Sequence, residues 1–167
     1  MFKRGFTLVE LLVVIGIIGI LASTVVVNVS RSRTRARDAR RKADLKTLQT
    51  ALEAYNDENG VYPVSAASGW VVETGSPNWI VGLTPTFLPV LPSDPTRRPT
   101  TSTCSGIPNF GDTSGSGYAY RSNGSEYKLI AACTVENTVA ATDIMRDPAG
   151  RPNTYAVYSG SVTASSF

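Results

Sequence analysis

The chain has no histidine and only two cysteines, Cys104 and Cys133, among its 167 residues. Without histidine, neither a Ser–His nor a Cys–His nucleophile pair can be built. Two cysteines without a Cys-x-x-Cys spacing do not make a zinc site either. No glycine-rich loop runs into Lys-Ser or Lys-Thr, so a phosphate-cradling loop is missing as well. The acids of the C-terminal half (Asp112, Glu126, Glu136, Asp143 and Asp147) lack the spacing of a calcium loop and read as turn residues. No enzyme activity and no cofactor are expected from this inventory.

The other absence is of charge. Residues 11–30 contain no Asp, Glu, Lys or Arg, and Leu, Val, Ile, Ala and Gly dominate them. About 20 apolar residues in helical form cover roughly 30 Å, the thickness of a bilayer's hydrocarbon core. Lys3 and Arg4 precede this run, and one acid, Glu10, sits just inside its edge. A carboxylate there is costly to bury and needs a partner or a purpose. A secretory signal peptide would place small residues after its apolar region; Ala22-Ser23 imitates such a site but lies within a run that continues to Val29.

Gly5-Phe6-Thr7-Leu8-Val9-Glu10, behind a basic leader and ahead of an uninterrupted apolar span, resembles the signature of type IV prepilins and the related pseudopilins. The resemblance implies that a prepilin peptidase cuts after Gly5 and methylates the new N-terminus, Phe6. It also implies that Glu10 pairs with the N-terminal amine of a neighbouring subunit, each offsetting the other's desolvation in a dry helical bundle. The implied partners are further copies of the chain in a helical polymer, the peptidase, an inner-membrane assembly platform and, indirectly, an assembly ATPase. Some pseudopilins hold calcium with acids of their C-terminal loops; no ligands are assigned here. Many family members carry a proline where this chain has Val27, so local melting of the helix on assembly is not implied.

Gly16 and Gly19 lie in the apolar run, where small residues permit close helix approach or are simply tolerated. From residue 31 the character changes: Arg31, Arg33, Arg35, Arg37, Arg40, Arg41 and Lys42 are relieved only by Asp38. The first reading is a solvated helix face that meets lipid phosphates or acids of neighbouring subunits. DNA binding by a filament surface is a weaker alternative, since no aromatics are interleaved. A count of positive charges alone would put this side, and the domain after it, in the cytoplasm. The cleavage signature and the cysteines argue for the outside.

Leu45, Leu48, Leu52 and Tyr55 recur at spacings of three and four, with Ala39, Ala43 and Ala51 read as close to the same stripe. Asn59-Gly60 is a stop signal and Pro63 follows. One helix over 6–59 would be roughly 80 Å long. Residues 45–63, ending in Asn59-Gly60-Val61-Tyr62-Pro63, are similar to a segment of major pseudopilins and several pilins, and Leu91-Pro92-Ser93-Asp94-Pro95 resembles their next landmark. The usual Trp-Gly-x-Pro continuation is replaced by Thr96-Arg97-Arg98-Pro99.

Beyond the helix, Trp70-Val71-Val72 reads as a short strand, and Trp79-Ile80-Val81 with Leu83, Phe87 and Leu88 as core. Prolines 77, 85, 89 and 92 exclude a long helix there. Residues 100–117 read as an exposed loop. Asn123-Gly124-Ser125 between β-rich runs predicts a hairpin, with Tyr127, Leu129, Ala131 and Cys133 on one face. A third strand covers 154–158, after an Asp-Pro-x-Gly turn at Asp147 that repeats the earlier landmark without an evident reason. In an exported domain the two cysteines most simply form one bridge, the alternative being two unrelated buried thiols. Closing a loop of about 30 residues would add roughly 3–4 kcal/mol in the chain-entropy account.

The expected architecture is α+β: a long N-terminal helix, half transmembrane and half amphipathic, on a small antiparallel sheet in a pilin-like roll. The divisions are a leader (1–5), a membrane or filament-core helix (6–30), an amphipathic continuation (31–59) and a β-rich domain (60–167). The expected function is that of a type IV pilus-like filament subunit, held in the inner membrane with its head outside until assembly. A major pseudopilin of type II secretion and a signal-anchored domain that never polymerises are the alternatives.

Overall fold

The computed structural model describes residues 5–65, 69–73, 78–96, 117–151 and 153–160, without the side chains of 24–27. The chain divides into two compact units, Met1–Ala36 and Arg37–Phe167. One helix, α1 (Leu8–Asn59), contributes to both. It starts two residues later than expected and runs without a break through Val27. Gly60 ends it at φ +73°, the left-handed conformation a helix C-terminus favours, and its N–H donates to the Asn56 carbonyl at 2.7 Å.

In the second unit α1 buries a single stripe. Leu45, Leu48 and Leu52 are fully buried. Counting back by four and three, the stripe continues to Arg41 and Asp38, which are buried too. Ala39 and Ala43, expected on this stripe, are exposed. At about 100° per residue, Ala43 lies roughly 140–200° away from Leu45 and Leu48.

The stripe packs on an antiparallel sheet of β1 (Val71–Val72), β2 (Gly117–Ser122), β3 (Tyr127–Ala132) and β4 (Thr154–Tyr158), in that spatial order. The hairpin closes over Asn123–Glu126, with Ser122 opposite Tyr127. The Asn123 side chain accepts from the N–H groups of Ser125 and Glu126. Tyr118, Tyr120, Tyr127, Leu129, Ala131, Tyr155 and Val157 share the core with the helix leucines. Ala119, Ile130, Ala132 and Ala156 alternate with them and form a second cluster with Trp70 and Val72 on the opposite face. Cys133, expected on the Tyr127 face, lies past the end of β3 at φ +63°, which turns the chain out of the strand.

Trp79, Ile80 and Leu83 enter the core as expected, with Phe87 and Leu88 partly buried, whereas Val81 is exposed. Gly82 explains the break: it adopts φ +92°, and a Cβ there would meet the Tyr55 ring at 3.1 Å. Of the expected exposed loop at 100–117, Gly117 is instead buried as the first residue of β2, and the rest, with Cys104 and Asp112, lies outside the described residues.

Candidate functional site

At the N-terminus, Gly5 and Phe6 are exposed ahead of α1. A Cβ on Gly5 would meet nothing, so the chain's own packing does not demand glycine there. Thr7 is the N-cap and Glu10 stands three residues on. The Glu10 carboxylate accepts from the Thr7 N–H at 2.9 Å and from the Thr7 hydroxyl at 2.7 Å, and the Thr7 hydroxyl in turn accepts from the Glu10 N–H at 3.3 Å. This is a reciprocal capping box. The spacing Thr7-x-x-Glu10 is legible in the sequence, beside the resemblance that implies a neighbouring subunit as the acid's partner. Glu10 therefore has donors within its own first turn. A cut after Gly5 would leave them intact, because the Thr7 N–H belongs to the Phe6–Thr7 peptide.

After this cap, α1 is long and apolar enough to cross a membrane. Its large side chains, among them Leu8, Leu11, Leu12, Ile15, Ile18 and Leu21, are exposed. Among the described residues, nothing lies within 4 Å of the Cβ positions of Gly16 or Gly19.

The basic run divides. Arg41 was read as part of a solvated face, but its side chain is 0 % exposed. Its Nε lies 2.8 Å from Asp94 Oδ2, its Nη2 3.1 Å from Asp94 Oδ1, and its Nη1 2.6 Å from Asp38. Asp38 also accepts from the N–H groups of Glu136 and Asn137, and the Thr134 hydroxyl donates to Asp94 at 2.7 Å. Burial pushes the Asp94 carboxyl up, but the Arg41 guanidinium, the Thr96 N–H and the Thr134 hydroxyl together hold it below its ordinary value. Arg37 pairs with Glu136, Lys42 with Asp143, and Arg40 reaches Asp44 at 3.7 Å. The Leu-Pro-Ser-Asp-Pro landmark is thus a loop whose acid is clamped to the helix.

The second Asp-Pro turn has the same logic. Asp147 lies 2.8 Å from Lys128 Nζ on β3, both fully buried, and accepts from Arg151 at 2.7 Å. The Lys128 ammonium makes no aligned hydrogen bond, so this contact is one of charge rather than directed bonding. The acids of the C-terminal half expected in turns are largely committed to bases. Among the described residues, no group of three or more potential ligands for a metal ion occurs.

Tyrosines complete the polar contacts to α1. Tyr118 donates to Asp44 at 2.7 Å, while Tyr62 and Tyr127 donate to the two oxygens of Glu53 at 2.7 and 3.0 Å. Burial, reinforced by Glu53, pushes the Tyr62 phenol up to about 12.

A capped apolar N-terminal helix behind a Gly-Phe junction, continuing into an α+β unit, matches the expected architecture of a pilin-like fold. Residues 1–26 match the model of the prokaryotic N-terminal methylation motif. The chain is 43 % identical over 63 residues to type II secretion system core protein G of Escherichia coli (strain K12), covering 38 % of this chain and 43 % of that one. It has the same identity, over the same shares, to the core protein G of Vibrio cholerae serotype O1. It is 41 % identical over 60 residues to the type IV major pilin protein PilA of Myxococcus xanthus, covering 36 % of this chain and 27 % of the pilin. The match therefore spans less than half the length of these relatives. No solved structure matches the chain.

Proposed function

We propose that this chain is a structural subunit of a type IV pilus-like filament that polymerises through α1 after a prepilin peptidase cuts behind Gly5 and methylates Phe6. The observation that carries it is the methylation motif at the head of a capped apolar helix whose large side chains are exposed among the described residues. Before assembly the helix anchors the subunit in the inner membrane, N-terminus inside and head outside. There it meets the assembly platform and, indirectly, the ATPase that drives it. In the filament, the Glu10 carboxylate accepts from the Phe6 amine of the next subunit, beside or in place of its Thr7 donors. The chain catalyses nothing itself.

A secretion pseudopilus is the second reading, favoured by the similarity to core protein G. Cys104 and Cys133 form one bridge in this proposal; Cys133 is not a free thiol, and Cys104 is the only other cysteine in the chain.

The test is the intact mass of the native chain in membrane and sheared-surface fractions. Loss of residues 1–5 with one added methyl, in sheared material, is the expected result. The same mass confined to cells favours the pseudopilus, and an uncut chain held in membranes overturns the filament. Reduction should add about two hydrogens if the bridge is present.

A further inference from the structure

Of the seven bases that follow the apolar span, four are used within the head: Arg37 by Glu136, Arg40 by Asp44, Arg41 by Asp38 and Asp94, and Lys42 by Asp143. Arg31, Arg33 and Arg35 are not. All three are exposed, and none has an ion pair with a described residue. All three lie in the first unit, on helix that continues directly from the apolar run.

Their placement is specific in two respects. At 1.5 Å per residue they stand about 3–9 Å past Val29, the last apolar residue, which is the depth of the headgroup layer beside a 30 Å hydrocarbon core. At about 100° per residue, Arg33 points roughly 200° from Arg31, whereas Arg35 returns to within about 40° of it. Arg31 and Arg35 therefore share one side of the helix and Arg33 faces the opposite one. A single partner helix would meet only one of these two sides, whereas lipid phosphates meet both. Guanidinium groups suit this occupant, because their planar fork of donors matches phosphate oxygens and their alkyl stems lie along apolar surface.

We propose that Arg31, Arg33 and Arg35 form a collar that binds the phosphates of anionic phospholipids where α1 leaves the bilayer, fixing the depth of the unassembled subunit. The collar rests on the membrane-anchored reading and is separate from the cleavage motif, from Glu10 and from the ion pairs of the head.

The test is native mass spectrometry of the full chain in detergent micelles, titrated with phosphatidylglycerol or phosphatidylcholine. Phosphatidylglycerol should be retained in preference, on the order of a hundredfold at low salt if each base acts near a charged surface, and less at high salt. The triple replacement R31Q/R33Q/R35Q should abolish the preference. R31K/R33K/R35K should keep most of it, and R37Q, which disturbs an internal pair, should leave it unchanged. Equal retention of the two lipids, or a preference that survives the glutamine triple, overturns the collar. Self-association that depends on the three arginines, without lipid preference, assigns them to a second copy and also overturns it. A native chain that stays in solution without detergent, seen before any lipid is added, removes the membrane reading and the collar with it.

Discussion

The two halves of α1 use the same helix in opposite ways. Over residues 8–21, every large apolar side chain is 45–80 % exposed; further on, Leu45, Leu48 and Leu52 are 0 % exposed. The first half is apolar all round and the second along one stripe, so only the second can satisfy itself against a sheet. The charges follow the same division. Among the described residues Glu10 bonds within its own first turn, whereas Asp38 and Asp94 share a fully buried arginine. The helix thus meets the sheet with its second half, while its first half offers an exposed apolar surface.

The largest effect expected from this contrast is at Arg41. Arg41→Ala leaves Asp38 and Asp94 buried without their cation and should lower the unfolding free energy of the head by about 3–5 kcal/mol. Arg41→Lys should fall between, since an ammonium keeps the charge but not the two-pronged grip on Asp94. Denaturant titrations of these variants and of Arg33→Ala measure the difference. An Arg41→Ala no costlier than Arg33→Ala would erase the distinction between the paired and the free bases.

The apolar side of the comparison is tested by truncating one leucine in each half. Leu48→Ala should cost the head roughly 2–5 kcal/mol through lost burial and a cavity. Leu12→Ala should leave the head within about 0.5 kcal/mol of the native chain, because Leu12 is exposed. A matching loss in both variants would mean that the two halves unfold as one.

These contrasts were partly legible in the amino-acid string. The uncharged run, the leucine stripe, the Asn-Gly hairpin and the strand at 154–158 follow from periodicity and turn chemistry, and all appear where expected. At Arg41 charge and position point opposite ways, the charge to solvent and the position to the core. Arg41 stands four residues before Leu45, on the stripe, and burial there is made tolerable by Asp38 together with the distant Asp94. The second Asp-Pro turn was unexplained for the same reason, since its role depends on Lys128 across the fold. The inward-facing ends of Lys128 and Arg41 are set by partners 19 and 53 residues away in the chain, which local pattern does not reveal. The Thr7–Glu10 box, by contrast, is local and could have been read directly.

Titration should sharpen the contrast further, because the resolved shifts in the described head concern groups packed against the second half of α1. The Tyr62 phenol, raised to about 12 by burial and by Glu53, is stabilised in its protonated form. Its contribution is fully present below the unfolded value near 10 and lost as pH rises through about 12. Asp94 works in the other direction. Its folded value lies below the ordinary 3.8, so its contribution is present above that value and lost as pH falls through the lowered one. Tyrosinate absorbance during alkaline unfolding should show a limb that Tyr62→Phe diminishes. An alkaline limb unchanged by Tyr62→Phe would remove Tyr62 from the account.

The smallest effect belongs to the first turn. Thr7→Ala removes the hydroxyl that accepts from the Glu10 N–H and donates to its carboxylate, at a cost of about 1 kcal/mol confined to the start of α1. Amide exchange of residues 8–11 in micelles should speed up, Thr7→Ser should restore it, and denaturant unfolding of the head should not move. Glu10→Gln separates the two duties of the acid. A glutamine side chain can still accept from the Thr7 N–H, so the cap should survive. It carries no charge to meet an incoming N-terminal amine, so filament yield should fall while exchange in the first turn stays slow. If Glu10→Gln assembles normally, the carboxylate serves the helix alone and its charge has no part in joining subunits. If it loses both cap and assembly, the two duties are inseparable, and the first turn must be ordered before a neighbour can dock.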